Sequence, residues 1–325
     1  MIFHNMDNPM SCVVANQKTI PAVEAGLAFR YAYDRAKFWK ACIWALALLL
    51  AVVQTGVSIY VFSGHKTPFD PSYLTAAPLL AFVLISTFGK YIVSKWQSLG
   101  CTIQRLHDHL TMEVGTKPSL LELPKSRVAE LSTNRERQAP QDREQLETWW
   151  SSNLSSVPYP VAKLVATYST FAWESELRKR YQHLLTFLLV ACIVIPVCVS
   201  LLFDHTLLGF IVFVFGPFTP IVAVVIDEWL TNKDNAKIAE QLTYDCHATW
   251  GNLLLDKLDL KEVELFTEQH MMYWQNFRQS ATPIFEWLYK VSRERMEGNM
   301  LVDTDALIAD FKKQQLLPVY PASKT

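Results

Sequence analysis

The sequence predicts an all-α integral membrane protein, with four transmembrane helices in two hairpins and a helical cytoplasmic region. Three observations carry that expectation. Four apolar blocks each reach the roughly 20 residues a helix needs to cross a hydrocarbon core of about 30 Å. Basic residues crowd one end of every block and leave the other nearly bare. No stretch alternates apolar and polar residues as a half-buried strand does. Half of the residues are hydrophobic, yet 19% are charged, so the two populations must be segregated along the chain.

Residues 1–40 form a mostly polar, cytoplasmic N-terminal segment. The first long apolar run begins only near Ala41, too late and too long for a cleavable signal. A helix is expected from Pro21, since proline suits a first turn where its missing donor is not needed; it runs directly into the first span. Residues 41–93 make hairpin one, with spans at 41–62 and 72–93. Residues 94–183 form the central cytoplasmic segment. There Trp96, Leu99, Ile103, Leu106 and Leu110 recur at three- and four-residue steps and continue a helix out of the membrane. The Gly-, Pro- and charge-rich stretch 115–142 is expected to be loops with at most short helices. A helical pattern resumes at Pro160 (Val161, Leu164, Val165, Tyr168, Phe171) and leads to the basic run Arg178, Lys179 and Arg180.

Residues 184–229 make hairpin two, with spans at 184–203 and 207–226. Residues 230–325 are expected to be helical to about Leu258, then again over 261–279, 283–296 and 305–315. Up to Gly89 in the second span and throughout the others there is no Asp, Glu, Lys, Arg or His. A soluble core helix rarely stays free of charge on every face for so long. The two connections, 63–71 and 204–206, hold one basic residue, Lys66. Arg30, Arg35, Lys37, Lys40, Lys90, Lys95, Lys233 and Lys237 lie at the opposite ends. By the positive-inside rule both termini and the central segment are cytoplasmic, as in a multi-pass inner-membrane protein.

With a formal net charge of −1, nothing in the totals suggests a nucleic-acid-binding surface, and no nucleic-acid polymer is expected as a partner. Six cysteines without any CxxC pair suggest neither a disulfide framework nor a zinc site, and no metal or cofactor is expected. There is no phosphate loop, no GxSxG elbow and no HExxH. His107, Asp108 and His109 point to different faces of a helix, and Tyr244 to His247 are contiguous, so neither set converges. In span one, Ala47, Ala51, Gln54, Thr55 and Ser58 make a small and polar stripe, and span two adds Ser86 and Thr87. Such residues either let helices approach closely or line a pore. Pro196, Gly216, Pro217 and Pro220 interrupt helical hydrogen bonding, as hinges or as tolerated kinks. The cytoplasmic segments are rich in Trp, Tyr and Arg, notably Trp149, Trp150, Trp173, Arg178, Trp274, Arg278, Trp287, Tyr289 and Arg293. That chemistry suits stacking and phosphate contacts with a nucleotide, or else an aromatic core with cations facing acidic lipid.

Three weak motifs, in order around the four spans, resemble a known family. Ala28, Arg30, Tyr33, Ala36 and Lys37 resemble an A-x-R-x-x-Y-x-x-A-K pattern. Trp173, Glu174, Leu177, Arg178 and Tyr181 are similar to W-D-x-x-L-R-x-x-Y. Arg278, Pro283, Glu286, Tyr289 and Arg293 look like an R…VPD…Y…R segment. The family is the SMODS-associated four-transmembrane effectors, pore formers encoded beside bacterial cyclic-oligonucleotide synthases. Where it often has Gln-Arg-x-Asn before the tryptophan, this chain has residues 167–171. The resemblance implies a homo-oligomeric pore in the lipid bilayer, acting in antiviral defence without catalysis. It makes Trp173, Arg178, Tyr181, Arg278, Tyr289 and Arg293 candidates for a cyclic-nucleotide site or a gate. A membrane-anchored scaffold, or an enzyme active in the cytoplasmic helices, stands as the alternative.

Overall fold

The computed structural model describes residues 12–62, 71–202, 206–207 and 210–316. Among them every regular element is helical. Four helices dominate: α2 (Ile20–Phe62), α3 (Pro71–Met112), α6 (Tyr159–Leu202) and α7 (Gly216–Leu254), of 43, 42, 44 and 39 residues. At about 1.5 Å per residue each is roughly 60 Å long, twice the thickness of a hydrocarbon core. Shorter elements fill in around their polar halves: α1 (Val13–Asn16), α4 (Lys125–Gln138), α5 (Asp142–Glu147), a 3₁₀ turn at Ser152–Ser156, α8 (Leu260–Ser280) and α9 (Glu286–Leu316).

The long helices do not stop where the apolar blocks stop. No proline or glycine interrupts α2 between Ala28 and Gly56, so nothing in the backbone ends the helix at a membrane boundary. Three described helices are long and apolar enough to cross a membrane: Ile20–Val61, Leu79–Met112 and Tyr159–Leu202. The fourth apolar block is described in part. A π-helical turn at Phe210–Phe215 precedes α7, whose first residues include Pro217 and Pro220. Prolines that cannot donate disturb the regular register there. Gly216 fits because a Cβ would meet the Ile211 carbonyl at 3.2 Å. Of the expected connections, residues 63–70 with Lys66, and Asp204 and His205, lie outside the described residues; so does the side chain of Ser58.

The apolar halves expose what a soluble protein buries. Leu48, Leu49, Val52 and Val53 on α2, Val83, Leu84, Ile85 and Phe88 on α3, and Phe187, Val190, Ile193 and Val194 on α6 are each half or more exposed. Apolar surface in water costs about 25 cal/mol per Å², and patches this continuous mark a contact with lipid or another chain. The chain is a membrane protein. Inside this belt Ile43, Ala47 and Ala51 meet Phe82, Ile221 and Val225.

The polar halves have cores of their own. Trp150, Phe171, Trp250 and Trp274 centre one, where α6, α7, α8 and α9 converge. Ala25, Ala28 and Ala32 let α2 approach Ile103 of α3 and Leu131 of α4 in a second. Trp173, Leu177, Tyr181, Ile284, Met296 and Met300 form a third, nearer the spans.

Two expectations require correction. The stretch 115–142 is not loops with at most short helices: α4 has 14 residues, held to α2 by Val128 and Leu131. Two apolar anchors on a charged helix make too weak a period to read. The expected helices 283–296 and 305–315 are one helix, α9. Its buried Ser292, Met296, Met300, Thr304, Ile308 and Phe311 recur at three- and four-residue steps straight through Gly298.

Candidate functional site

A cavity of about 490 Å³ opens where the polar halves of the long helices meet the short ones. Helical spacing explains how each wall forms. Phe29, Arg30, Tyr33, Asp34 and Lys37 repeat every three or four residues and give one face of α2 to the cavity. Thr170, Trp173, Glu174, Leu177 and Arg178 do the same on α6. Gln104, His107 and Asp108 come from α3, and Glu286, Tyr289, Lys290 and Arg293 from α9. Arg135, Asp142, Trp149, Trp150, Trp274, Arg278 and Pro283 are among the other lining residues.

Four of the cations are held by carboxylates from other elements, and Arg178 by one on its own helix. Lys37 Nζ lies 2.5 Å from Glu286 Oε2, tying α2 to α9. Arg135 reaches from α4 to Asp34 and, through Nε, to Asp142 Oδ2 at 2.6 Å. Arg30 sits 3.4 Å from Asp142 and donates to Gln145 Oε1 at 3.2 Å. Arg278 donates to Asp108 Oδ2 at 2.7 Å, joining α8 to α3. Arg178 pairs with Glu174 at 2.6 Å and donates to Asn232 Oδ1 of α7 at 3.3 Å. Burial alone would push the Asp108 carboxyl up; the Arg278 guanidinium and then His107 outweigh it and hold it below its ordinary value. Burial raises the Tyr289 phenol against the pull of Arg30, Arg293 and Lys37, so its hydroxyl stays a donor. Gln97 fixes the end of α8 by donating to the carbonyls of Arg278, Gln279 and Ala281.

Among the described residues, three buried donors on lining residues have no hydrogen-bond partner: Trp150 Nε1, Trp274 Nε1 and Arg178 Nε. Trp150 is 7% exposed, Trp274 1% and Arg178 3%. Indole and guanidinium groups donate and cannot accept, so each needs one acceptor. Each buried donor left unmet costs about 1–3 kcal/mol. Aromatic faces form two groups. Trp149, Trp173 and Tyr289 pack with centroids 5.6 and 5.9 Å apart. Phe29 lies 6.1 Å from Tyr33 and 5.3 Å from His107. The arrangement suits an anion that carries flat rings.

Of the candidates read from sequence, Trp173, Arg178, Arg278, Tyr289 and Arg293 all line this cavity. Tyr181 does not; its hydroxyl donates to Glu228 Oε1 at 3.0 Å, beside Lys40. Lys40 also bonds Glu228 and the carbonyl of Pro283, a cavity residue. Trp287 is exposed. Ala47, Ala51, Gln54 and Thr55 are buried against neighbouring helices. Ser86 is half-buried and Thr87 exposed, and both hydroxyls return to the Val83 carbonyl, at 3.1 and 2.7 Å. Pro196, Pro217 and Pro220 are buried within α6 and α7, while Gly216 is exposed. Sequence reasoning missed Asp34, Asp108, Arg135, Asp142 and the Lys40–Glu228 pair. Asp108 is buried under Arg278. Only the last pair left a signal: opposite charges abutting spans one and four.

A family model described as the SMODS-associating 4TM effector domain matches residues 11–307, nearly the whole chain. No curated protein and no solved structure matches the chain.

Proposed function

The chain belongs to the SMODS-associating 4TM effector family, and on that footing we propose that a cyclic oligonucleotide enters the cavity and drives the spans to assemble into a membrane pore. It is a membrane effector associated with SMODS signalling systems. In this reading all four apolar blocks cross the bacterial inner membrane, with both termini and the cavity in the cytoplasm, as the basic residues beside each block favour. Several copies surround the pore, and its opening is an antiviral, abortive response.

One observation carries the reading. The three motif segments stand far apart in sequence, around Arg30, Trp173 and Tyr289, and each contributes a face to the same cavity. Ligand capture explains that convergence better than packing, because the shared surface is rich in cations and aromatic rings. Transmission has a route. Pro283 lines the cavity, and its carbonyl accepts from Lys40, which reaches Glu228 and Tyr181 at the feet of spans one, four and three. A ligand shifts such an equilibrium only through its preference for one state; moving from 1:99 to 99:1 takes about 10⁴-fold.

The test is reconstitution of the full chain into liposomes loaded with a fluorescent dye. Cyclic oligonucleotides are added from the cytoplasmic side. Release that requires the protein and one of these nucleotides is expected. Vesicles that bind the nucleotide yet stay sealed would overturn the pore.

A further inference from the structure

Away from the cavity, we infer that Arg35, Trp96 and Arg127 form a binding site for the headgroup phosphate of an acidic phospholipid. The first observation is how the indole holds its cations. Cζ of Arg35 lies 6.0 Å from the Trp96 ring centroid and 5.3 Å from that of Phe38, and Cζ of Arg127 lies 5.7 Å from Trp96. Tyr31, one turn before Arg35 on α2, packs edge-on against the same indole at 6.3 Å. Three helices, α2, α3 and α4, thus bring two guanidinium groups to one ring. A guanidinium that rests its face on a ring keeps the N–H groups of its edge for a phosphate, which it grips bidentately. The second observation is the scarcity of counter-charge. Among the described residues Arg35 has no carboxylate partner: Asp34, beside it in sequence, is taken by Lys37 and Arg135. Arg127 does have one, Glu130 on its own helix at 2.8 Å. That pair is open to solvent, where such pairs contribute little.

The third observation is depth. Trp96 stands just past the apolar block 72–93, about 4.5 Å along the helix from its end. The headgroup layer adds roughly 5–7 Å to each side of the hydrocarbon core. Arg35 begins farther out, yet its guanidinium reaches back over Phe38, one turn from Ala41. Long cationic side chains snorkel in this way, leaving the charge at the phosphates and the ring at the acyl boundary. Phe38 is half exposed, and it selects the lipid over a free phosphate, because only the lipid brings an acyl chain to cover it. A headgroup held here also fastens α4 to the leaflet, and Arg135, two turns beyond Arg127, lines the cavity.

Thermophoretic titration of the full chain in neutral detergent tests this, with phosphatidylglycerol, phosphatidylcholine and inorganic phosphate as probes. Phosphatidylglycerol should bind about ten-fold tighter than phosphatidylcholine, and Arg35→Gln should remove most of that preference. Arg35→Lys keeps the charge and loses the flat fork, so it should still weaken the acidic lipid about three-fold. Lys90, exposed at the same end of α3 and paired with Asp227, serves as the control, and Lys90→Gln should bind as the parent chain does. Equal binding of the two lipids overturns the site. So does a loss in Lys90→Gln as large as in Arg35→Gln, which would mean diffuse attraction to the basic ends of the spans. Displacement of the lipid by millimolar inorganic phosphate would make the ring a site for the free anion instead. In nanodiscs, amide exchange over 125–138 should slow when phosphatidylglycerol replaces phosphatidylcholine; exchange unmoved by the lipid would take Arg127 out of the site.

Discussion

Asp108 shows how one buried charge organises a wall of the cavity. It is 4% exposed, and it is the partner of Arg278 and of the Gln275 amide, which donates to Oδ2 at 3.3 Å. Removing one member of such a pair leaves the other uncompensated, at a cost of about 3–5 kcal/mol. The carboxyl is held below its ordinary value. Its contribution is therefore complete above the unfolded value of about 3.9 and disappears as pH falls through the lower folded value. Asp108→Asn keeps the shape and removes the charge. We expect a lower thermal midpoint at neutral pH for this variant in detergent, and a flatter decline as pH falls below the unfolded value of about 3.9. An acid limb as steep as that of the parent chain would sink the assignment. Arg278, the other half of the pair, was legible as a motif residue. Asp108 was not, because its partner lies 170 residues away and helical spacing gives no information across that distance.

At the scale of elements, the long helices were legible and the short polar ones were not. Four uncharged blocks are a strong signal because no soluble environment tolerates them, and the Trp96–Leu110 pattern extended α3 correctly beyond its apolar block. α4 was hidden because its stability comes from tertiary partners: Arg135 pairs with Asp34 and Asp142, and Leu131 is 1% exposed. Propensity is a weak prior when packing decides. α9 was split for the opposite reason, since its register of buried Met296, Met300 and Thr304 appears only once neighbours are in place. That continuity is testable at Gly298, where an added Cβ meets nothing within 4 Å. In a continuous helix Gly298→Ala should stabilise by about 0.4–1 kcal/mol, chiefly by restricting the unfolded chain. The readout is a raised thermal midpoint, with slower amide exchange over 296–302. Unchanged exchange there would mean that the helix is interrupted.

At the scale of the molecule, the proposed pore requires that the cavity and the spans move as one. The Lys40 ammonium is the narrowest connection between them. It is 4% exposed and bonds Glu228, Tyr181 and the Pro283 carbonyl, with the Tyr181 and Phe285 rings 5.0 and 4.6 Å away. Four elements thus share one charge: α2, α6, α7 and the connector between α8 and α9. A buried ion pair is weak support for stability but a strong registry device, since a displaced partner has nowhere else to go. Lys40→Met and Glu228→Gln should each destabilise the detergent-solubilised protein by about 3–5 kcal/mol, whereas the double variant recovers part of the loss. Strictly additive losses would show that the two groups are not coupled. The functional consequence separates binding from response. In the double variant the cavity wall keeps Lys37, Lys290 and Arg293, so nucleotide affinity should change little while dye release is lost or no longer depends on nucleotide. If affinity and nucleotide-dependent release both survive, the signal travels by another path, along the long helices that run from the cavity wall into the apolar blocks.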